Sequence, residues 1–329
     1  MRDDDVEVAR QFERVLYLRK LDLLRDLASP DLLLLAEFAR ERVFPKDAPL
    51  LRRGEPVGAL HFLIAGRVAL RRGDLELGVA GPGSGVGGLG ILARDDEGLE
   101  ALAAVDTLSL ELEADAFFDL LEDRFAVFRQ VLRETSRRSI VQLLTGGVHQ
   151  ARAPAQVPLS VPARSLDLVE RLQLLRRMAP FSRSSLNALA DLSRSLSEVR
   201  HARGTRLWRE GDPSGDVLLV VDGVVACSSA GSGVAFQAVP GQPLGNFESI
   251  AGQPRWFDAE ALTPVLALRG RSEELIDAFE DNFRMGVDFL SATATGLLRQ
   301  IELMDGDGPE AAADRLDRLA RFYGATVTR

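Results

Sequence analysis

The chain has 329 residues, a hydrophobic content of 46% and a formal net charge of −9. This length suits about two domains, and this composition supports buried cores and excludes an intrinsically disordered chain. The acidic balance argues against a general nucleic-acid-binding protein. The single cysteine, Cys227, excludes an intramolecular disulfide or a cysteine zinc cluster and is expected to be a small residue in a strand.

Targeting and membrane signals are missing from the sequence pattern. No apolar run reaches the roughly 18 residues that a membrane-spanning helix needs. The first ten residues, MRDDDVEVAR, are acidic and lack the apolar core of a secretory signal. We therefore expect a cytoplasmic protein without membrane insertion.

The first half of the chain begins with helical periodicity and continues with strand patterns. Helices are predicted over residues 6–27 and 29–42, the second one opened by Ser29-Pro30. A glycine turn at Gly73-Asp74 indicates a hairpin. Strands are predicted at 50–55, 59–65, 68–72, 75–79 and 102–112, followed by a long helix over 115–144.

The second half repeats this order after a segment rich in Pro and Ala, residues 151–164, which is typical of a linker. The predicted helices are 168–178, 182–195, 272–303 and 309–323, and the predicted strands are 207–212, 216–221 and 259–268.

The two halves keep a constant register. Gly54 and Gly211 are 157 positions apart, as are Gly66 and Gly223. The separation is 158 for Gly87 and Gly245, for Ala103 and Ala261, and for the segments 122–125 and 280–283. A single inserted residue over such a span indicates two copies of one domain. The predicted organisation is a first domain with its N-terminal helix at 1–150, a linker at 151–166, a second domain at 167–304 and a C-terminal helix at 305–329.

This pattern resembles the cyclic nucleotide-binding domain family. The resemblance rests on Gly54-Glu55-Pro56 and Glu210-Gly211-Asp212-Pro213 before a strand, on strands closed by Gly66 and Gly223, and on a glycine turn followed by a short helix. It implies an α+β fold: two antiparallel β-roll (jelly-roll-like) barrels, each flanked by N-terminal helices and a long C-terminal helix. The tandem layout is similar to the regulatory subunit of a cyclic-nucleotide-dependent kinase.

The resemblance also implies a phosphate cassette that reads Phe-Gly-Glu-Leu-Ala-Leu and then Pro-Arg-Ala-Ala-Thr. In the family, the Glu holds the ribose hydroxyl and the Arg holds the cyclic phosphate. The first copy has Gly88 and Glu97 at these two positions, and the second copy has Asn246 and Arg255. The candidate ligand-binding residues all lie in the second copy, between residues 244 and 264: Gly245, Asn246, Phe247, Arg255 and Trp256.

Each of these residues has an alternative role. Losing both anchors in the first copy should weaken nucleotide binding by roughly two to four orders of magnitude, since a charge-assisted hydrogen bond contributes about 1.5–3 kcal/mol. In the second copy, Trp256-Phe257-Asp258 replaces small-small-Thr and adds bulk and negative charge. Arg255 is either a phosphate anchor or a salt-bridged surface residue. Trp256 and Phe257 either stack on a base, meet a partner or pack against a neighbouring helix.

Other function classes have weaker signals. Gly83–Gly88 matches a dinucleotide-binding fingerprint with Asp106 about 20 residues on, but the following helix is too short and the preceding strand belongs to a hairpin pattern. The three histidines, His61, His149 and His201, have no metal-ligand spacing. A single helix after residue 303 cannot form a helix-turn-helix.

Two hypotheses remain from the sequence. In the first, the chain is a non-catalytic regulatory or scaffold protein that acts through protein–protein contacts with another protein. Its long helices either pack the two domains together or form the seam of a homodimer. In the second, the second copy binds a cyclic nucleotide or a related anion through Arg255 and Asn246. No other cofactor and no metal is expected, and the partner stays unidentified.

Overall fold

The computed structural model describes residues 3–21, 24, 26–72, 75–94, 99–146, 164–303 and 325–326. The chain divides into two compact units. The first unit is Met1–Val131 with Ala294–Arg329, and the second is Leu132–Thr293.

The first unit begins with two helices, α1 (Asp3–Arg19) and α2 (Ser29–Phe38). Its strands are β1 (Arg40–Phe44), β2 (Pro49–Leu51), β3 (Ala59–Ala65), β4 (Val68–Arg72), β5 (Leu75–Ala80), β6 (Gly85–Val86), β7 (Leu99–Ala103) and β8 (Thr107–Glu113). Helix α3 (Gly88–Ala93) follows β6, and helices α4 (Ala114–Asp123) and α5 (Phe125–Gly146) follow β8. Helix α5 begins in the first unit and ends in the second.

The second unit repeats this order. Its helices are α6 (Leu168–Arg177), α7 (Leu186–Ser195), α8 (Asn246–Ala251), α9 (Ser272–Asp281) and α10 (Phe283–Leu303), with a 3-10 turn at Ala179–Phe181. Helix α10 begins in the second unit, and its residues from Ala294 on belong to the first. Its strands are β9 (Ser197–His201), β10 (Arg206–Trp208), β11 (Asp216–Asp222), β12 (Val225–Ser228), β13 (Ala235–Ala238), β14 (Pro243–Leu244), β15 (Asp258–Ala261) and β16 (Val265–Arg271). A short strand, β17 (Ala325–Thr326), pairs with β5 of the first unit.

Each unit contains two antiparallel sheets that face each other. In the first unit the strand orders are β1-β8-β3-β6 and β17-β5-β4-β7-β2. In the second they are β9-β16-β11-β14 and β10-β15-β12-β13. The predicted fold class, α+β with two antiparallel β-rolls flanked by helices, is confirmed.

The repeat predicted from the glycine spacing also appears in the backbone. Gly66 and Gly223 have φ values of +91° and +90°. A Cβ atom at Gly66 would lie 2.6 Å from the carbonyl oxygen of Asp106, and one at Gly223 would lie 2.2 Å from that of Pro264. Both positions need glycine because the chain turns with positive φ directly against the next strand.

Several of the predicted helices differ from the structure in length, among them the one expected over 29–42, which ends at Phe38. The helix expected over 6–27 ends at Arg19. The long helices expected over 115–144 and 272–303 are each two helices, interrupted at Arg124 and at Asn282. These residues are 158 positions apart and have nearly the same backbone angles, φ −128° and −135° with ψ 78° and 73°. The break is therefore part of the repeated unit, and the apolar periodicity had hidden it by continuing on both sides.

Several strand boundaries were also corrected. The segments 102–112 and 259–268 are each two strands with a turn between them. The strands that were not predicted are β1, β6, β9, β12, β13, β14 and β17. The hairpin predicted around Gly73-Asp74 is confirmed by the antiparallel pairing of β4 with β5, in which Arg72 lies opposite Leu75. The two turn residues, most of the linker 151–166 and the helix over 309–323 lie outside the described residues. The predicted domain boundaries follow the sequence repeat, and they stay a prediction.

Candidate functional site

The cassette of the second copy begins at a left-handed glycine. Strand β14 leads into Gly245, with φ +77°, and α8 starts at the next residue. A Cβ atom at Gly245 would lie 2.1 Å from Nη1 of Arg255 and 3.1 Å from the carbonyl oxygen of Asp216. Glycine at this position therefore allows the guanidinium of Arg255 to lie directly against the turn.

The guanidinium of Arg255 binds protein groups on two of its nitrogens. Nη1 donates to the carbonyl oxygen of Gly245 at 3.2 Å, to Oε1 of Glu248 at 3.2 Å and to Oγ of Ser249 at 3.4 Å. Nη2 donates to the carbonyl oxygen of Asp216 at 2.7 Å. Acceptors of the chain itself thus occupy Nη1 and one of the two donors of Nη2.

Arg255 and Glu248 form a buried ion pair. Their side chains are 4% and 2% exposed. Burial raises the pKa of the Glu248 carboxyl, and the attraction and hydrogen bond of Arg255 oppose that rise. The pair has no net charge when Glu248 is ionised, so it offers little electrostatic attraction to an incoming anion.

Aromatic rings surround this ion pair. The guanidinium carbon of Arg255 lies 4.1 Å from the ring centroid of Trp208, which is a cation–π contact. The ring centroids of Trp208 and Phe257 are 5.6 Å apart, those of Phe257 and Trp256 are 4.6 Å apart, and those of Trp256 and Phe236 are 5.8 Å apart. Trp256 and Phe257 are buried, at 9% and 2% exposure, so they form part of the core.

The end of helix α5 adds to the same core. Ile140 belongs to the buried cluster that contains Trp208, Trp256 and Phe257, and Leu143 and Leu144 pack against this cluster. Of the alternatives for Trp256 and Phe257, the geometry favours packing. The interior of the second β-roll is filled by its own side chains and by those of this helix.

The structure separates the predicted site residues into groups. Gly245 and Arg255 are in contact. Trp256 lies in the aromatic core. Asn246 and Phe247 line a different cavity, which is on the outer face of the β-roll, and Phe247 also packs against the aromatic core. The salt-bridge alternative for Arg255 holds in part, because the residue is ion-paired but buried.

The sequence analysis missed Glu248 and Trp208 as partners of Arg255. A signal for Glu248 was available, because the family pattern has a small alanine at this position of the cassette and this chain has a carboxylate. Trp208 lies 47 positions before Arg255 on a separate strand, and no local pattern marked it.

A cleft of about 370 Å³ lies beside Arg255 within the second unit. Three nitrogens on its lining residues have no hydrogen-bond partner among the described residues: Nε of Arg255, Nε1 of Trp208 and Nε2 of His201. Burial and the nearby charge of Arg269 lower the pKa of His201. Arg269 is itself paired with Asp216. These three nitrogens are buried, so a ligand in the cleft would reach them only after a side chain moves.

The cassette of the first copy contains neither anchor among its described residues. Gly88 occupies the first position of α3, whose sequence, GLGILA, has no ionisable side chain. The backbone carbonyl of Ala93, at the end of this helix, accepts a hydrogen bond from Oγ1 of Thr295 at 3.3 Å. Glu97, at the position of the family's arginine, lies outside the described residues.

Other chemistry has little support in the structure. Across the described ranges, no three His, Cys, Asp or Glu side chains are placed so that they could hold a metal ion. Within the same part of the chain, no helix has the length and apolar character needed to span a membrane. The glycine-rich segment 83–88 leads into a six-residue helix that begins at Gly88, and β6 pairs antiparallel with β3, so this segment does not form the parallel unit of a dinucleotide fold.

Part of the first unit matches a known domain family. Residues 41–124 match the family model of the cyclic nucleotide-binding domain. No curated protein matches the chain.

Several solved structures are similar over most of the chain or over one of its halves. The regulatory domain of Toxoplasma gondii PKA, crystallised with cAMP, is 18% identical with a TM-score of 0.34, covering 88% of this chain and 97% of that one. The regulatory subunit of a cAMP-independent protein kinase A from Trypanosoma cruzi, bound to guanosine, is 13% identical with a TM-score of 0.35, covering 98% and 96%. The N-terminal domain of a transcriptional regulator from Streptomyces coelicolor A3(2) is 28% identical with a TM-score of 0.36, covering 41% and 98%.

Proposed function

We propose that this chain, a member of the cyclic nucleotide-binding domain family through residues 41–124, is a non-catalytic regulatory or scaffold protein. In this proposal both cassettes have lost the ability to hold a cyclic nucleotide, and the tandem β-rolls act through contacts with another protein. The observation that supports it most directly is the buried ion pair of Arg255 and Glu248.

The energetics of this pair favour the proposal. A phosphate that used Arg255 would have to displace the carboxylate of Glu248 and leave it buried without its partner. Breaking a buried ion pair in this way costs about 3–5 kcal/mol. A new charge-assisted hydrogen bond returns only about 1.5–3 kcal/mol. Exchange of Glu248 for a ligand phosphate is thus unfavourable unless other contacts compensate for it.

The position of the family's ribose-binding glutamate also supports the loss of nucleotide binding. The family's glutamate is replaced by Asn246 in the second copy and by Gly88 in the first. Asn246 lines the cavity on the outer face of the β-roll. Arg255 lines a separate cleft, the one that also contains Trp208 and His201. A single nucleotide would not reach both residues without a rearrangement of α8.

Calorimetric titration of the full chain with cyclic AMP, cyclic GMP and cyclic dinucleotides tests this proposal. We expect no binding at ligand concentrations up to about 1 mM. Micromolar binding that disappears in a folded Arg255→Ala variant would overturn it. Light scattering and affinity capture from the native cell then address the homodimer and the partner protein, neither of which the sequence identifies.

A second candidate function is a sensor of a small anion in the second copy. It is favoured by the cleft beside Arg255, where Nε of Arg255, Nε1 of Trp208 and Nε2 of His201 lack partners among the described residues. The same titrations distinguish the two functions, provided that inorganic phosphate and acetate are included. Saturable binding of either ion that is lost in His201→Ala and Arg255→Ala would favour the sensor.

A further inference from the structure

The outer face of the second β-roll has an apolar cavity of about 350 Å³ that the cassette hypothesis does not explain. Its floor consists of cross-strand neighbours on β11 and β16, where Val217 lies opposite Gly270 and Leu219 lies opposite Leu268. The alternate residues of β11, such as Leu218, face the barrel core. This strand is therefore apolar on both faces, which is typical of a strand that is covered on both sides.

Three other parts of the second unit form the walls of this cavity. Phe181 of the 3-10 turn and Phe289 of α10 face each other with ring centroids 6.1 Å apart. Leu192 of α7 and Leu275 of α9 contribute aliphatic surface. Phe247 of the cassette helix α8 closes the cavity on a further side. The cavity is thus bounded on several sides by helices and strands and open at its rim, and its volume lies in the size range of small-molecule sites.

Its hydroxyl groups are already satisfied. Oγ1 of Thr293 donates to the carbonyl oxygen of Phe289 at 2.9 Å, and Oγ of Ser195 donates to that of Leu192 at 2.8 Å. Water inside the cavity would find few partners, and an apolar cavity without polar partners tends to stay dry or to accept apolar ligands.

The charged residues on the lining are both cationic. They are Arg177, at the end of α6, and Arg271, at the end of β16, and both are exposed. Arg271 is paired with Glu273 at 3.0 Å. No carboxylate pairs with Arg177 among the described residues, and the lining itself contains no Asp or Glu. An apolar interior with a cation at its rim complements an aliphatic carboxylate.

We propose that this cavity binds the hydrocarbon chain of a medium-chain fatty acid, with its carboxylate at Arg177. A cavity of 150 Å³ holds benzene, which corresponds to about 25 Å³ for each non-hydrogen atom. On that scale the 350 Å³ available here accommodates about fourteen such atoms, the number in dodecanoate. The ligand would touch Phe247 and Asn246 of α8, so binding would act on the cassette helix without using Arg255.

Calorimetric titration of the full chain with dodecanoate, below its micellar concentration, tests this proposal. A single acyl chain enters a membrane with an association constant of about 10⁴ M⁻¹, so we expect a Kd of about 100 µM or tighter. Dodecylamine should bind at least tenfold more weakly, because its cation would meet Arg177. Equal binding of the two amphiphiles, or none of dodecanoate at 1 mM, would overturn the proposal.

Two variants locate the site. Arg177→Ala should weaken dodecanoate binding about tenfold or more, as expected for a charge-assisted contact. Arg176→Ala is the matched control, since this neighbouring arginine is exposed but does not line the cavity, and it should bind as the wild type does. Ala292→Trp should fill the cavity and abolish binding. If circular dichroism shows that Ala292→Trp is misfolded, the comparison of Arg177→Ala with Arg176→Ala still tests the site. Equal affinities of these two variants for dodecanoate would contradict the proposed site.

Discussion

Nη1 of Arg255 lies 3.2 Å from Oε1 of Glu248 inside the second β-roll, where both side chains are almost fully buried. The carboxylate therefore occupies a donor that the family's cassette reserves for a phosphate. A double-mutant cycle can measure the coupling free energy between Arg255 and Glu248.

We expect Arg255→Met and Glu248→Gln each to lower the free energy of unfolding by about 3–5 kcal/mol, because each leaves the other residue buried without its partner. The double variant should lose less than the sum of the two, by about 0.5–3 kcal/mol of coupling. Chemical denaturation measures all three. Glu280→Gln, on the exposed surface of α9, is the control and should change stability by less than about 0.5 kcal/mol. Strict additivity would mean that the pair does not interact.

The turn before α8 gives a second prediction. Gly245→Ala should destabilise the protein by more than Gly252→Ala does. Both glycines have positive φ, +77° and +64°, so each alanine costs about 1–2 kcal/mol in backbone conformation. Only the Cβ atom at Gly245 would also collide with Arg255, since the one at Gly252 has no neighbour within 4 Å. Thermal and urea unfolding of the two variants measure the difference, and equal losses would show that Arg255 moves without cost.

Part of the fold and little of the environment of Arg255 could be predicted from the sequence alone. The strands closed by Gly66 and Gly223 were predictable because alternation, turn residues and the repeat register all agreed. The environment of Arg255 was not, because it depends on Asp216 and Trp208, which a tertiary fold brings together from different strands. The helix breaks at Arg124 and Asn282 were missed because the apolar pattern continues through them.

Buried His61 predicts a stability that falls in acid. Its ring is 2% exposed, Nδ1 lies 3.3 Å from Oγ of Ser109, and Glu111 and Arg42 are the charged groups that act on it. Burial lowers the pKa of His61 from 6.5 to about 4, with Arg42 adding to this and Glu111 opposing it. The folded state thus binds the proton more weakly than the unfolded state, and stability present above pH 6.5 is lost as the pH falls towards 4.

This loss should be about 3 kcal/mol in the free energy of unfolding, since each unit of pKa difference corresponds to about 1.4 kcal/mol. Urea unfolding at pH 7.5 and pH 4 measures it in the wild type and in His61→Gln, which should lack this part of the pH dependence. His201→Gln is the control, because that ring is only partly buried, and it should retain most of the wild-type slope. An unchanged slope in His61→Gln would assign the acid sensitivity to other groups.

The only cysteine provides a probe of the second core. Cys227 lies on β12, is 2% exposed, and belongs to the same buried cluster as Trp208 and Phe257. Burial, assisted by the charge of Glu248, raises the pKa of its thiol to about 12. Because the thiolate is the reactive form and an exposed cysteine has a pKa near 8.5, labelling of the native protein at pH 8 should be about a thousandfold slower than in urea.

Moving the thiol by one residue, in Cys227→Ser with Ser228→Cys, places it on the exposed side of the same strand and should restore rapid labelling. If native Cys227 reacted as quickly as this control, the core that encloses Arg255 would be open to solvent, and the scaffold proposal would lose its structural basis.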